Sequence, residues 1–464
     1  MNSSTGSIVN AGARLDRLPI SWFHYKILLL IAAGALFDAY DLYLGSGVIA
    51  ATLKEGFSTL PLSAAFMSFT FIGMLIGAGV AGFLGDHFGR RYSYQTNLLI
   101  FGLASIAAAF APNIYWLIGL RFIMGVGLGA ELVVAAGTLG EFIPPSHRAR
   151  WMSMLAMLIH VGLVMSSLGS YYVIPKFGWR WMFASAGIGA LLVWMARKSM
   201  PESPRWLESK GRKEEAEATL AKIEASVLKK HGALPPVSRL QDGEVKRAPF
   251  KELFTSTLIG RTYLASLTVI TVNISVYGFV AWLPSFFVQQ GFTITKSLGF
   301  SLLMSFGAII GTVLGYWLGD KISRRASLIS GLVITMGIGF VYPGMHTQNS
   351  IVICGMTMLA SLYFFVTIGL YSYVPELFPT QYRLRGTGVA GASGRGGAIC
   401  VQYVTVFLFM AYGVYGVIAL VVSFLGLMAI SVYLLRIETL RTSLDQVMST
   451  QDSALGKAAV VPAE

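Results

Sequence analysis

Two stretches decide the fold: Gly82-Phe-Leu-Gly-Asp86-His-Phe-Gly89-Arg90-Arg91 and Gly315-Tyr-Trp-Leu-Gly-Asp320-Lys-Ile-Ser323-Arg324-Arg325. Each closes a long apolar run with the same order of glycine, aspartate and arginine pair. A second motif recurs with them: Glu141…Pro144…Arg148-Ala-Arg150 is answered by Glu376…Pro379…Arg383-Leu-Arg385. Asp86 to Asp320 and Arg90 to Arg324 are 234 residues apart, and Glu141 to Glu376 and Arg148 to Arg383 are 235 apart. The chain therefore reads as one unit written twice.

Composition says what solvent that unit meets. Of 464 residues, 55% are hydrophobic and only 12% charged, whereas soluble domains carry about 25% charged residues. So apolar a chain cannot clothe itself for water, and a polytopic membrane protein is the class left. Stretches of roughly 20 apolar residues suffice to cross a bilayer as helix. Twelve such stretches occur, near 25–49, 61–84, 92–111, 114–139, 151–174, 178–198, 262–287, 297–318, 326–345, 350–374, 386–411 and 413–435. The expected architecture is all-α: a cytoplasmic segment 1–24, a six-helix bundle 25–198, an amphipathic linker 199–261, a second six-helix bundle 262–436 and a tail 437–464. From Gly211 to beyond Leu220 the linker reads as an amphipathic helix, and from about 443 the tail reads as unstructured.

The net charge of +13 would suggest nucleic acid in a soluble chain. Here the basic residues collect in alternate loops: Arg90 and Arg91; His147, Arg148 and Arg150; Lys321, Arg324 and Arg325; Arg383 and Arg385. By the positive-inside rule these loops and both termini face the cytoplasm, and no nucleic-acid partner is expected. No cleavable leader pattern precedes the first span. Cys354 and Cys400 both lie in apolar stretches, which excludes a disulfide framework or a paired-cysteine metal site. No metal site and no cofactor is expected, and no nucleophile–base set or phosphate loop suggests an enzyme.

Two parallel six-helix halves joined by a polar bridge are a secondary-transporter architecture, with substrate held between them near mid-membrane. These motifs resemble those of the major facilitator superfamily, from about residue 20 to 440. Pro201-Glu-Ser-Pro-Arg205-Trp206 and Pro375-Glu376-Leu-Phe-Pro379-Thr are similar to the branch holding sugar porters, organic-ion transporters, and bacterial niacin and aromatic-acid carriers. The Pro-Glu-Thr usual after the last span survives only as Arg436-Ile-Glu438-Thr439. Asp86 and Asp320 face Arg90 and Arg324 one turn on, and Glu141 and Glu376 are in reach of Arg148, Arg150, Arg383 and Arg385. Such ion pairs can lock one face closed and break as the halves rock; the resemblance adds Glu202 and Arg205 to this gating set. Gly73/Gly77, Gly125/Gly129 and Gly307/Gly311/Gly315 read as close-packing faces.

Ionisable residues at membrane depth cost about 2.5–3.5 kcal/mol on insertion scales and mark function by default. Asp41 lies about 6 Å outward of the middle of span one, and Arg121 about 7 Å outward of the middle of span four. Matching depth lets them pair, and protonation of Asp41 would release Arg121, a proton-coupling switch. Proton-coupled sugar porters are similar at both positions. Asp38 shares the face of Asp41, so the two carboxylates should not both ionise freely and Asp38 joins the proton-coupling candidates. Aromatic-acid carriers similarly place two acids three apart in span one, with a Gly where this chain has Ala39-Tyr40. Glu131, on the inner half of span four, can pair with a base or take the proton. His160 lies near the middle of span five and can line the cavity.

Arg395 interrupts a run of small residues, Gly388 to Gly397, in span eleven, where a guanidinium can reach a carboxylate bidentately. In the organic-ion transporters that this segment resembles, anion carriers have an arginine there and cation carriers an acid. Asn273 and Tyr277, four apart on one face of span seven, lead the other pocket candidates, with Trp282, Phe364, Tyr371, Phe37, Tyr40 and Gln402. A flat ring on these residues and a carboxylate on Arg395 describe a small aromatic acid. The resemblance implies a monomeric, bacterial inner-membrane carrier, driven by the proton gradient and working by alternating access, with nicotinate as substrate. Benzoate-type acids are the alternative, followed by a sugar or organic cation, and a non-transporting membrane sensor is the rival class.

Overall fold

The structure is a computed structural model. It describes residues 9–237, 249–319, 321–345, 347–379 and 381–439, without the side chains of Leu132, Ala149, Arg150, Ser153 and Ala156. Asp320, the side chain of Arg150 and the tail from 443 lie outside the described residues.

Helices cover all twelve expected stretches. In chain order they are α1 (Ala11–Asp16), α2 (Trp22–Lys54), α3 (Leu60–Phe88), α4 (Arg90–Ala109), α5 (Ile114–Phe142), α6 (Pro145–Phe177), α7 (Arg180–Arg197), α8 (Pro204–Ser209) and α9 (Lys213–His231). There follow α10 (Ile259–Gly278), α11 (Leu283–Gln289), α12 (Ile294–Leu318), α13 (Arg324–Val341), α14 (Gln348–Ile368), α15 (Val374–Glu376) and α16 (Arg383–Leu435). Among the described residues, nine helical runs are long and apolar enough to cross a membrane. Shorter or more polar, α4 and α7 fall outside that set: α4 opens on Arg90, Arg91, Ser93, Gln95 and Asn97, and α7 has 18 residues with arginine at each end. Although α16 runs for 53 residues, Gly413 within it has φ 63 and ψ −153. No helix continues through that conformation, so two helices meet at the point where the apolar pattern divides spans eleven and twelve.

The chain separates into two compact units, 1–243 and 244–464. Each uses the same packing plan. In the first, α2 lies on α6, α3 on α5, and α4 on α5 and α7; in the second, α10 lies on α16, α12 on α14, and α13 on α14 and α16. Glycine sets the closest of these approaches. A methyl group on Gly73 or Gly125 would overlap the partner backbone at Phe122 or Thr70, and one on Gly307 or Gly311 would overlap Met356 or Ala360. The same device thus holds α3 to α5 and α12 to α14, as small residues must where two apolar helices meet without water to expel.

The linker helix α9 is amphipathic as its sequence implies, but it is not simply solvated. Ala216, Leu220, Ile223 and Val227 are buried in a cluster with Val9, Leu15 and Leu18 from around α1. Arg14 pairs with Glu217 at 2.5 Å and Glu224 at 2.8 Å, and Arg17 with Glu224 at 2.7 Å. This amphipathic helix therefore anchors the N-terminal segment within the first unit.

Gly125→Ala should destabilise the protein by about 1–3 kcal/mol, the usual range for overpacking. Gly119→Ala, on the same helix with nothing within 4 Å of the added carbon, should be neutral or gain up to about 1 kcal/mol from helix propensity. Thermal melting of the two purified variants in detergent checks this; equal midpoints would contradict the packing account.

Candidate functional site

Within the first unit the intramembrane charges form two buried ion pairs. Arg121 on α5 donates from Nη1 to Asp41 Oδ2 on α2 at 2.5 Å, with both side chains fully buried. Its guanidinium also lies 4.8 Å from the centroid of the Phe66 ring. Room for this comes from Gly45, one turn beyond Asp41, where a methyl group would come within 3.1 Å of Arg121 Nη2. The second pair joins Glu131 on α5 to Arg197, at the end of α7. Arg197 donates to two carbonyls of α2, Leu30 O at 2.8 Å and Ile31 O at 2.9 Å, and stacks over Tyr94. Gly34 makes this passage possible, since a side chain there would overlap the guanidinium.

Asp38 is buried beside these pairs, and neither of its carboxylate oxygens has a hydrogen-bond partner among the described residues. His160 is buried on α6. Phe37 and Tyr40 serve packing: the Phe37 ring fills the space over Gly189, and the Tyr40 and Ser185 hydroxyls bond at 2.9 Å. Neither belongs to an open aromatic surface.

In the second unit, Arg395 on α16 is half-buried, with no hydrogen bond or ion pair to a described residue; Tyr277 is its electrostatic neighbour. Along α10 the half-buried positions Ser266, Ile270, Asn273 and Tyr277 form one stripe between buried ones, the three-and-four spacing of a single helical face. Gly394 brings α16 against that stripe, since a methyl group there would lie 2.9 Å from Asn273 Nδ2. Asn273 donates to Val269 O at 2.7 Å through one N–H of its amide, which leaves the second N–H to donate and the side-chain oxygen to accept. Arg395, Tyr277 and Asn273 therefore gather where α10 and α16 meet.

The remaining aromatic candidates separate from them. Trp282 and Gln402 are fully buried and bond each other at 3.0 Å; Gln402 also donates to Tyr277 O and Ala398 O. Gln402 thereby ties α16 to the end of α10 and to the turn that carries Trp282. Phe364 packs against Gly331 of α13. Tyr371 lies in a π-helical turn, Gly369–Tyr373, between α14 and α15, where an extra residue per turn turns side chains off the regular face.

The repeated loop motifs form matching clusters at one end of each unit. Arg90 bonds Asp86 at 2.8 Å and Glu141 at 2.9 Å. Arg324 grips Glu376 with two bonds, at 2.9 and 3.0 Å, and donates to Gly319 O. Glu202 accepts from the backbone N–H groups of Arg90 and Arg91 at the start of α4 and from that of its own neighbour Ser203, and Gly89, at φ 102, leaves it the space. Burial pushes the Glu202 carboxyl above the usual carboxylate range against the pull of those donors. Glu438 repeats the arrangement, accepting from Arg324, Arg325 and Thr439 N–H at 2.9, 3.2 and 3.1 Å. Carboxylates at helix N-termini satisfy orphaned donors and oppose the helix dipole.

Several partners differ from the sequence expectation. Glu141 and Glu376 are answered by Arg90 and Arg324. Arg383 is exposed, and Arg148 reaches Asp16 at 3.9 Å and Ile143 O at 3.4 Å instead. Arg205 donates to Glu141 O at 3.1 Å and to Asp16 at 2.6 Å. Asp16, Arg197 and Glu438 were absent from the expected functional residues. Only Glu438 left a trace, in the degenerate Arg436-Ile-Glu438-Thr439.

The chain matches the family described as "Sugar (and other) transporter" over residues 29–450. It is 36% identical over 441 residues to an inner membrane metabolite transport protein of Escherichia coli K12, YdjE, covering 94% of this chain and 98% of that one. To the niacin transporter NiaP of Acinetobacter baylyi it is 33% identical over 408 residues, covering 86% and 90%. The inward open structure of the xylose transporter XylE from E. coli superposes with a TM-score of 0.71, at 19% identity, over 92% of this chain and 99% of that one, a likeness of fold. With its repeated bundle plan and loop clusters, the chain belongs to the sugar (and other) transporter family of the major facilitator superfamily, and is a multi-pass membrane transporter, not an enzyme.

Proposed function

We propose that this transporter imports a small aromatic carboxylate, nicotinate first among them, by alternating access driven by the proton gradient. The observation that carries this reading is Arg395: a half-buried guanidinium with no acid bonded to it among the described residues, beside Tyr277 and Asn273 on an open helical stripe. A guanidinium at membrane depth calls for an anion, and a planar carboxylate matches its fork. An aromatic ring on Tyr277 and a ring nitrogen or second oxygen near Asn273 fit the same stripe. The printed activity of the NiaP relative supports nicotinate. The carrier acts as a monomer in a bacterial inner membrane, with both termini and the basic loop clusters on the cytoplasmic side.

Arg395→Ala should raise the KM for nicotinate at least about tenfold, since a charge-assisted hydrogen bond contributes about 1.5–3 kcal/mol. Arg395→Lys keeps the charge but loses the fork, and should recover part of the affinity. Uptake of labelled nicotinate into proteoliposomes, with unlabelled benzoate and glucose as competitors, measures both; unchanged uptake by Arg395→Ala removes the substrate reading. The loop clusters act as gates on this reading. Glu202→Ala and Glu438→Ala should each slow maximal uptake several-fold at nearly unchanged KM, and the two should act alike because each carboxylate answers the same helix start.

A further inference from the structure

Residues 9–18, the stretch before the first long helix, are bonded to three other parts of the first unit. The backbone N–H groups of Asn10 and Ala11 donate to the Glu208 carboxylate on α8 at 2.8 and 2.9 Å. Arg14 and Arg17 grip Glu217 and Glu224 on α9, and Arg17 also donates to Pro235 O at 3.0 Å. Ala11, Leu15 and Leu18 are buried in one cluster with α9 and with Phe142 and Ile143 at the end of α5. Asp16 reaches the loop motifs. It accepts from Arg205 at 2.6 Å and lies 3.9 Å from Arg148, in the first turn of α6. The same Arg205 donates to Gly12 O at 3.3 Å and to Glu141 O at 3.1 Å, and the Glu141 carboxylate is the one that holds Arg90.

The second unit repeats the placement. A short turn of 3-10 helix, Phe250–Phe254, precedes α10 as α1 precedes α2. Its Leu253 is fully buried, and its Glu252 accepts from the hydroxyl of Tyr382, which caps α16. In each unit, therefore, an acid ahead of the first long helix meets the start of the helix that follows the repeated Glu-Pro loop.

We propose that residues 9–18 are a strap that steadies the bonded state of the Arg90–Glu141–Glu202 cluster by keeping Arg205 and Arg148 on Asp16. A guanidinium does not shed its charge. Without Asp16, Arg205 is left beside Glu141, whose carbonyl it already bonds, and competes with Arg90 for that carboxylate. The helices α8 and α9 supply the seat that holds Asp16 in place. The strap's part in transport rests on the gating reading of the loop clusters and does not depend on the substrate.

Amide hydrogen exchange of the purified protein in lipid, read by mass spectrometry, tests the strap. The N–H groups of Arg90 and Arg91, held by Glu202, report the cluster, and residues 9–18 report the strap itself. Asp16→Asn should leave the strap seated yet speed exchange at residues 90–93 at least about tenfold, the factor one charge-assisted hydrogen bond carries. Arg14→Ala combined with Arg17→Ala should speed exchange at both places. Glu215→Gln, which breaks an exposed pair with Arg212, should change neither. Exchange at 90–93 equal to wild type in Asp16→Asn and in the double variant would make the segment a packing element and overturn the proposal. Faster exchange at 90–93 with unchanged uptake of labelled nicotinate would keep the strap and remove the gating reading.

Discussion

A guanidinium inside a membrane bundle must be answered, because it neither sheds its charge nor finds water there. That constraint organises both units of this chain. Arg121 is answered by Asp41, Arg197 by Glu131 and two carbonyls of α2, and Arg324 by Glu376 and Gly319 O. The glycines at 34 and 45 exist to let two of these side chains pass close to α2. Arg395 departs from the rule among the described residues. The proposed substrate reading starts from that departure, with the carboxylate of an anion as the partner that would answer Arg395.

The duplicated plan gives the loop clusters their meaning. Arg90 with Glu141 and Glu202, and Arg324 with Glu376 and Glu438, build the same object from sequences that agree at only a few positions. Each ties a helix start, an arginine, an acid from another helix and an acid from the non-helical segment that follows α7 or α16. On the proposed reading these bonded clusters are what would break as the transporter closes one face and opens the other.

Much of this was legible in the sequence because it rests on local pattern or simple arithmetic. Span positions follow from apolar length, the two units from the offsets of 234 and 235, and the Asp41–Arg121 contact from equal depth. Arg197 escaped because it stands beside Lys198 at the end of a span, where a cation reads as an interfacial anchor. Glu438 escaped because its motif is degraded although its geometry is not. Trp282, Gln402, Phe364, Phe37 and Tyr40 are aromatic or polar at mid-depth, and each also packs or bonds within its own unit. Residue type and depth do not reveal which neighbour a side chain will meet. Asp16 and the docking of α1 against α9 depend on partners about 200 residues away, beyond any local signal.

The most direct test of the central claim compares two isosteres. Nicotinate carries a carboxylate and nicotinamide does not, while ring and size are the same. Binding of each to the purified transporter, followed by calorimetry, isolates what Arg395 contributes. The account predicts saturable nicotinate binding at least about tenfold tighter than nicotinamide, with the difference abolished in Arg395→Ala. Equal affinity for the two, or a preference for nicotinate that survives the substitution, would contradict it.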